Sequence, residues 1–280
     1  MTKNSQPHPD QLVSERVRHE LAVRDLKVES ITELTPRMRR ITLNGDLESF
    51  TSPGPADHVK VFFPDPKTGE YHYPVMTEEG MQRPEGVLLI SRDYTPIPRE
   101  DGRLDLDFLI HGDDGPASYW AQRAEVGDQL VVAGPRGSRL APQGANWYVL
   151  AGDETALPAI SRWLLEVGPD ANVTIFAEVD GKEDEDYPLP YGYPVQWLHR
   201  DGAEPGTTSL LEDAVRKVEF PNEAGLLWAA GEAGSLKPIR RYLRRELELD
   251  KTWQQFQGYW KKGTAEHDHH APVDPEDPDE

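Results

Sequence analysis

Residues 146–168 read NWYVLAGDETALPAISRWLLEVG, and this stretch decides how the chain folds. Its first half is a short apolar run, the kind that fills a strand buried on both faces. Gly152-Asp153-Glu154-Thr155-Ala156 then turns at once into a second half with apolar residues at helical spacing from Leu157 to Val167. Strand, tight turn and amphipathic helix together form the unit of a parallel sheet with right-handed crossovers.

Downstream the pattern repeats. NVTIFAEVD (172–180) and YPVQWLHRD (193–201) read as strands, and TTSLLEDAVRKVEF (207–220) as a helix. AGLLWAAGEAGSLKPIRRYLRREL (224–247) is again strand, glycine turn and helix, and WQQFQGYWKKG (253–263) closes the domain. Upstream the rhythm differs. Short runs at Arg39–Leu43, His58–Phe63, Gly86–Ser91, Leu104–His111 and Gln129–Ala133 lie between Gly/Pro/Asp clusters. RLDLDFLIHG (103–112) alternates apolar and polar residues, as an antiparallel strand with one buried face does. GPASYWAQRA (115–124) interrupts with a helical stretch.

The expected fold is therefore an N-terminal antiparallel β-barrel (21–140) followed by a C-terminal α/β domain with a parallel sheet (146–263). A polar segment (1–20), expected to be a flexible N-terminus, precedes them. The acidic, proline-rich segment 264–280 reads as a disordered tail. His267, His269 and His270 fall in that tail, where nothing rigid would hold metal ligands, so a solvated tail is favoured over a metal site.

Composition narrows the function. The chain has 280 residues, a net charge of −20 and no cysteine. Such charge argues against nucleic acid and anionic membrane as partners. Without cysteine there is no disulfide, thiolate-held iron–sulfur cluster or cysteine zinc site within the chain. The start, MTKNSQPHPDQ, has no apolar stretch, and the longest apolar runs fall far short of the ~20 residues a spanning helix needs. A cytoplasmic, monomeric protein is expected.

Three places carry chemistry. In SRDYTPIPRE (91–100), Arg92 offers a planar grip on phosphate, Tyr94 a flat face for a ring system, and Thr95 a hydroxyl beside it. The plainer reading is a surface Arg–Tyr pair entering a proline turn. The stretch His111 to Ser118 joins a strand to a helix, and Gly115, Pro116, Ala117 and Ser118 suit an anion-binding mouth; taken alone, a turn with Ser118 capping the helix is the favoured reading. The turns Gly152–Ala156 and Gly231-Glu232-Ala233 follow strands in the α/β domain, where open sheets bind ligands, although neither matches G-x-G-x-x-G.

Taken in order, R-D-Y-T, HGDDGPASYW, GPRG, AGDETALPAI, WLHRD, AGEAG and GYWKKG resemble the siderophore-interacting protein family, a branch of the ferredoxin–NADP reductase-like superfamily. The resemblance covers about residues 20–263. It implies an FAD-binding barrel, an NAD(P)H-binding domain and reduction of ferric siderophores, with NADPH or NADH as donor and a ferredoxin as a second candidate. By the resemblance, Arg92 would hold FAD phosphate, Tyr94 would pack on the flavin and Thr95 would sit near its reactive edge. His111, Gly115, Pro116, Ala117 and Ser118 would serve the pyrophosphate. Gly152, Asp153, Glu154, Thr155, Ala156, Gly231, Glu232 and Ala233 would line the nucleotide cleft, and Tyr259 and Trp260 would lie near the flavin. The family usually places a second Arg soon after Y-T; here Pro96-Ile97-Pro98 precede Arg99.

Many ferric siderophores are anionic, so a local basic pocket is expected on this acidic chain. Its candidates are Lys60, Arg136, Arg240, Lys261 and Lys262. Glu178 and Asp180 suit a ribose 2′-hydroxyl and NADH; Arg200 suits a 2′-phosphate and NADPH. Two other readings stay open: a general NAD(P)H-flavin or ferredoxin-type reductase, and a flavin-containing siderophore-binding protein with negligible turnover.

Overall fold

Along RLDLDFL, Leu104, Leu106 and Phe108 alternate with Asp105 and Asp107, and this alternation fixes the inner face of the first sheet. The structure, a computed structural model, describes residues 11–77, 80–111, 115–264, 267–268 and 270–277. Expectations on residues 1–10, Gly112, Asp113, Asp114 and His269 lie outside the described residues. The chain divides into two units, Arg16–Leu140 with Asp186–Pro188, and Met1–Glu15 with Ala141–Glu185 and Leu189–Glu280.

In the first unit the strands are β1 (Arg16–Arg18), β2 (Val23–Thr35), β3 (Met38–Asn44), β4 (Val59–Phe62), β5 (Val75–Thr77) and β6 (Gly80–Gln82). After them come β7 (Ser91–Tyr94), β8 (Ile97–Pro98), β9 (Leu104–Leu109), helix α1 (Pro116–Arg123), β10 (Gln129–Ala133) and β11 (Gly137–Arg139). Seven of these strands form one antiparallel sheet in the order β7-β4-β10-β2-β3-β9-β8. Laid flat at ~4.8 Å per strand, its edges would lie roughly 29 Å apart. The link from Tyr94 to Ile97 spans at most about 11 Å. The sheet therefore curls until its edge strands nearly meet, which is the barrel-like form expected. Leu26, Val28, Ile41, Leu43, Val59, Val61, Leu104, Leu106, Phe108, Leu130 and Val132 alternate into the interior, and Trp120 and Ala121 of α1 close over them.

One strand expected from sequence begins later than expected. Val87 and Leu88 are exposed surface chain. Leu89 and Ile90 pack against the core, the Ile90 carbonyl accepting from the Phe63 amide at 2.8 Å, and the strand that pairs with β4 starts at Ser91. On the outer face, Asp107 accepts two hydrogen bonds from Arg40 at 2.7 Å each and one from Tyr187 at 2.6 Å. This explains why 186–188 joins the first unit.

The second unit carries β12 (Tyr148–Asp153), α2 (Leu157–Val167), β13 (Val173–Val179), β14 (Val195–His199), α3 (Leu210–Val215), β15 (Leu226–Glu232), α4 (Ala233–Arg241) and β16 (Gln254–Trp260). Its sheet is wholly parallel, in the order β14-β13-β12-β15-β16. The strand order reverses beside β12, so the carboxyl ends of β12 and β15 flank the switch point where such sheets hold ligands. Within the N-terminus expected to be flexible, the described residues are tied down: Leu12 is buried, its amide donates to Thr252 Oγ1 at 3.2 Å, and β1 pairs with β11.

The segment expected to be a solvated tail differs as well. Val273 and Asp274 are buried, and Asp274 meets Arg241 Nε at 2.5 Å and Lys237 Nζ at 3.3 Å. The acidic composition finds a basic face on α4, and the ion pairs offset the cost of ordering the segment.

Candidate functional site

In the first unit the site begins on β7. Register pairs Val61 with Arg92 and Val59 with Tyr94, so Arg92 and Tyr94 share the inner face at the sheet's edge. The Tyr94 ring lies 4.4 Å from Phe108 and edge-on to Phe63, and burial pushes its phenol well above the usual range. Arg92 donates to Ser91 O at 2.7 Å, and Thr95 is buried where β7 passes into β8. Trp120 packs on Phe63 and Phe108, which joins α1 to the same aromatic cluster. Gly115 sits extended at the N-cap of α1 without a side-chain cap, and Pro116 follows at the first helical position. Gly115 thus offers the first-turn amides of α1 no side-chain cap, and a helix start of this kind suits a phosphate. Ser118 turns inward, its hydroxyl accepting from the His111 amide and Gln122 Nε2 at 3.2 Å each.

In the second unit, Asp153 ends β12 and is buried. Its Oδ1 accepts from the Thr155 amide at 3.0 Å and from the Thr155 hydroxyl. Its Oδ2 accepts from the Glu232 amide at 2.9 Å and from Trp260 Nε1 at 2.8 Å. Burial, then the charge of Glu154, pushes the Asp153 carboxyl up to about 6. Gly231 adopts φ +140°, and a Cβ there would fall 2.6 Å from Asp153 Oδ2; only glycine lets β15 pass so close. Glu232 caps α4 through the Ser235 amide at 2.6 Å. Arg200, beyond β14, holds Glu154 in a two-pronged buried ion pair and lies 3.7 Å from Glu178.

A family model described as siderophore-interacting FAD-binding domain matches residues 27–139. A second, described as siderophore-interacting protein, matches residues 145–263. The chain belongs to the siderophore-interacting protein family. It is 34% identical over 255 residues to the NADPH-dependent ferric-chelate reductase of Escherichia coli K12, covering 88% of this chain and 96% of that one. It is 33% identical over 250 residues to the ferric vibriobactin reductase of Vibrio cholerae serotype O1, covering 85% and 89%. A solved siderophore utilization protein from T. fusca superposes with a TM-score of 0.84 at 41% identity, covering 93% of this chain and all of that one.

Within this family member, the residues expected from sequence fall into two groups. Arg92, Tyr94, Thr95, His111 and Gly115–Ser118 belong to the barrel unit. Gly152–Ala156, Gly231–Ala233, Tyr259 and Trp260 belong to the α/β unit, and Asp153 gathers Thr155, Glu232 and Trp260 around one carboxylate. The basic candidates fare differently. Arg240 is 1% exposed and its guanidinium meets Asp277 at 2.9 Å; it lies beneath the 270–277 segment and cannot present itself to a substrate. Lys60 is exposed but salt-bridged to Asp93 at 2.8 Å, the outward strand lysine of the plainer reading. Lys262 pairs with Glu204 at 2.7 Å, while Arg136 and Lys261 are exposed. Arg200 and Glu178 are buried and committed to each other's network, so neither reaches out to a ribose or its 2′-phosphate. Arg99, displaced by the proline insertion, ties β9 through Asp105 at 3.0 Å. Sequence reasoning does not single out Phe108, the floor beneath Tyr94. The alternation along β9 already placed it on the inner face.

Proposed function

We propose that this family member is an FAD-dependent ferric-siderophore reductase supplied with electrons by a reduced pyridine nucleotide. One observation carries the reading. The half-buried Tyr94 against Phe108, Arg92 on the same face, and the glycine-started α1 lie around a single aromatic cluster. A flat ring system and a pyrophosphate fit those residues: Tyr94 for the ring, Arg92 for phosphate charge, Thr95 for a ring heteroatom, and the amides of Ala117 and Ser118 for pyrophosphate oxygens. Bound FAD would supply the hydride-accepting and one-electron chemistry that no side chain here provides.

The switch-point crevice of the α/β unit favours a pyridine nucleotide over a ferredoxin as donor, because a nucleotide fits there without an external protein surface. Ferric siderophores hold Fe(III) through hard oxygen donors, and the ligand set releases Fe(II) more readily. The protein's task is then to bind and orient the complex. Arg136 and Lys261 are the exposed cations that remain from the sequence candidates. We place the reaction in the cytoplasm and the protein as a monomer.

The test is anaerobic. The flavin of the purified holoprotein is reduced with NADPH or NADH, and ferric siderophores of catecholate, hydroxamate and carboxylate type are added with a ferrous trap. Flavin reoxidation matched by trapped Fe(II) is expected. A flavin that stays reduced before every complex would refute the reductase reading and leave a siderophore-binding role.

A further inference from the structure

The strand order β14-β13-β12-β15-β16 gives the two halves of a dinucleotide different neighbours. In sheets of this kind a pyrophosphate belongs at the turn after the central strand, here β12. The adenosine ribose then reaches the carboxyl end of the next strand, here β13. The 2′ position of that ribose is where the two pyridine nucleotides differ, a hydroxyl in NADH and a phosphate in NADPH. The groups at the exit of β13 therefore choose between them.

This rim is acidic. Residues 178–185 and 199–204, which end β13 and β14 and follow them, hold seven carboxylates against Lys182, Arg200 and His199. Arg200 is 1% exposed, grips Glu154 with two nitrogens, and lies 3.7 Å from Glu178 and 3.9 Å from Asp180. It is buried among carboxylates and turned away from solvent. Lys182 folds back on Glu185, which also meets His199 Nε2 at 2.8 Å. That lysine pair is exposed and weakly held, so Lys182 is the rival ligand for a phosphate. Asp180 directly follows β13, and its side chain is 21% exposed. Its backbone is fixed: its carbonyl accepts from the Asp201 amide at 2.9 Å, and Asp184 accepts from the next amide, Gly181, at 3.2 Å.

We propose that Asp180 accepts the ribose 2′-hydroxyl, that the acidic rim around it rejects a 2′-phosphate, and that the donor this chain selects is NADH. This rests on reading the crevice as the dinucleotide site. A 2′-phosphate carries about −1.5 to −2 charges near neutral pH. It would bring them to a rim where carboxylates outnumber cations, whereas a hydroxyl brings a donor to an acceptor. Selection then comes from repulsion as much as from attraction. The choice runs against the donor in the name of the Escherichia coli relative, so it stands on this chain's own rim.

The experiment uses the full-length, FAD-loaded protein with oxidised NAD⁺ and NADP⁺ as non-reducing probes, and calorimetry as the readout. NAD⁺ should bind about 10- to 100-fold tighter than NADP⁺, the scale of one hydrogen bond to a charged group. Raising salt from about 0.05 to about 0.5 M should narrow that gap by screening the rim. Asp180→Asn should weaken NAD⁺ and tighten NADP⁺, each by several-fold, while Lys182→Ala should leave NADP⁺ no weaker. If Asp180→Asn does not fold, the wild-type ratio and Lys182→Ala still decide. NADP⁺ binding as tightly as NAD⁺ would overturn the proposal. So would a selective loss of NADP⁺ in Lys182→Ala, which would put the phosphate on that lysine. Equal changes for both nucleotides in Asp180→Asn would reduce Asp180 to a structural residue and refute its role. In these three cases the donor reading stands. If wild type binds neither nucleotide, the donor reading itself fails and the preference falls with it.

Discussion

Replacing Arg200 with methionine isolates the buried ion pair at the edge of the crevice. The guanidinium is 1% exposed, and its partner Glu154 is 5% exposed. It also lies 3.7 Å from Glu178 and 3.9 Å from Asp180. Methionine roughly refills the volume but removes the guanidinium that Glu154 and Glu178 face. Breaking a buried pair from one side costs about 3–5 kcal/mol. At about 2–4 °C per kcal/mol for a protein of this size, the melting temperature should fall by roughly 6–20 °C. The loss should depend on pH. Burial already raises the Glu178 carboxyl, with the Thr208 hydrogen bond and the Arg200 charge opposing. A carboxyl raised in the folded state penalises folding above its folded value, and that penalty lifts as pH falls through it. The gap between wild type and variant should therefore be widest near pH 7.5 and narrow towards pH 5. Salt should change it little, because the pair is buried. Urea denaturation at several pH values, followed by near-UV circular dichroism, measures it. A loss below about 1 kcal/mol, or a gap indifferent to pH, would refute the argument. Unchanged stability with a selective loss of NADPH affinity would show instead that Arg200 faces a 2′-phosphate.

Arg92→Ala should loosen FAD by roughly ten- to a hundredfold with unchanged far-UV dichroism, read as the flavin-to-protein absorbance ratio after gel filtration. An unaltered ratio would remove Arg92 from the phosphate site. Tyr94→Phe should keep both fold and flavin, whereas Tyr94→Ala should lose about 3–5 kcal/mol in denaturant unfolding because it empties the space against Phe108; equal stability of the two variants would contradict the packing described. Asp274→Ala should speed amide exchange across residues 270–277 by freeing Lys237 and Arg241. Unchanged exchange would mean that the salt bridges do not hold this segment.

Much of the fold was legible in the chain because two periods dominate it. The alternation in β9 and the repeated strand–turn–helix units at Tyr148 and Leu226 announce an antiparallel sheet and a parallel one. The strand expected at Gly86–Ser91 starts late because Val87 and Leu88 face outwards, and β-propensity cannot tell which residues find a partner. Residues 270–277 misled for a different reason. Composition records that the segment is acidic, but not that Lys237, Arg240, Arg241 and Arg244 line up on α4 and its continuation to receive it. The same blindness affected the cations near the site. Lys60 and Arg240 carry charge in the sequence, yet Asp93 and Asp277 claim them in the fold. Asp153 was legible as a residue of the turn, but its bond to Trp260, 107 positions away, was not.

The contact between Leu12 and Thr252 sets a schedule. The two residues are separated by 240 positions. At about 5–20 residues per second, a ribosome needs on the order of tens of seconds to deliver the second after the first. For that whole interval Leu12 waits for Thr252, and every strand of the first sheet emerges before the interval ends. The barrel can close early, as a folded insert carried between two halves of an unfinished neighbour. The nucleotide-type sheet can be sealed only as the last strand, β16, leaves the tunnel. Newly made chains should therefore acquire the capacity for flavin before they acquire a donor site, and a stalled or truncated chain would carry the first without the second.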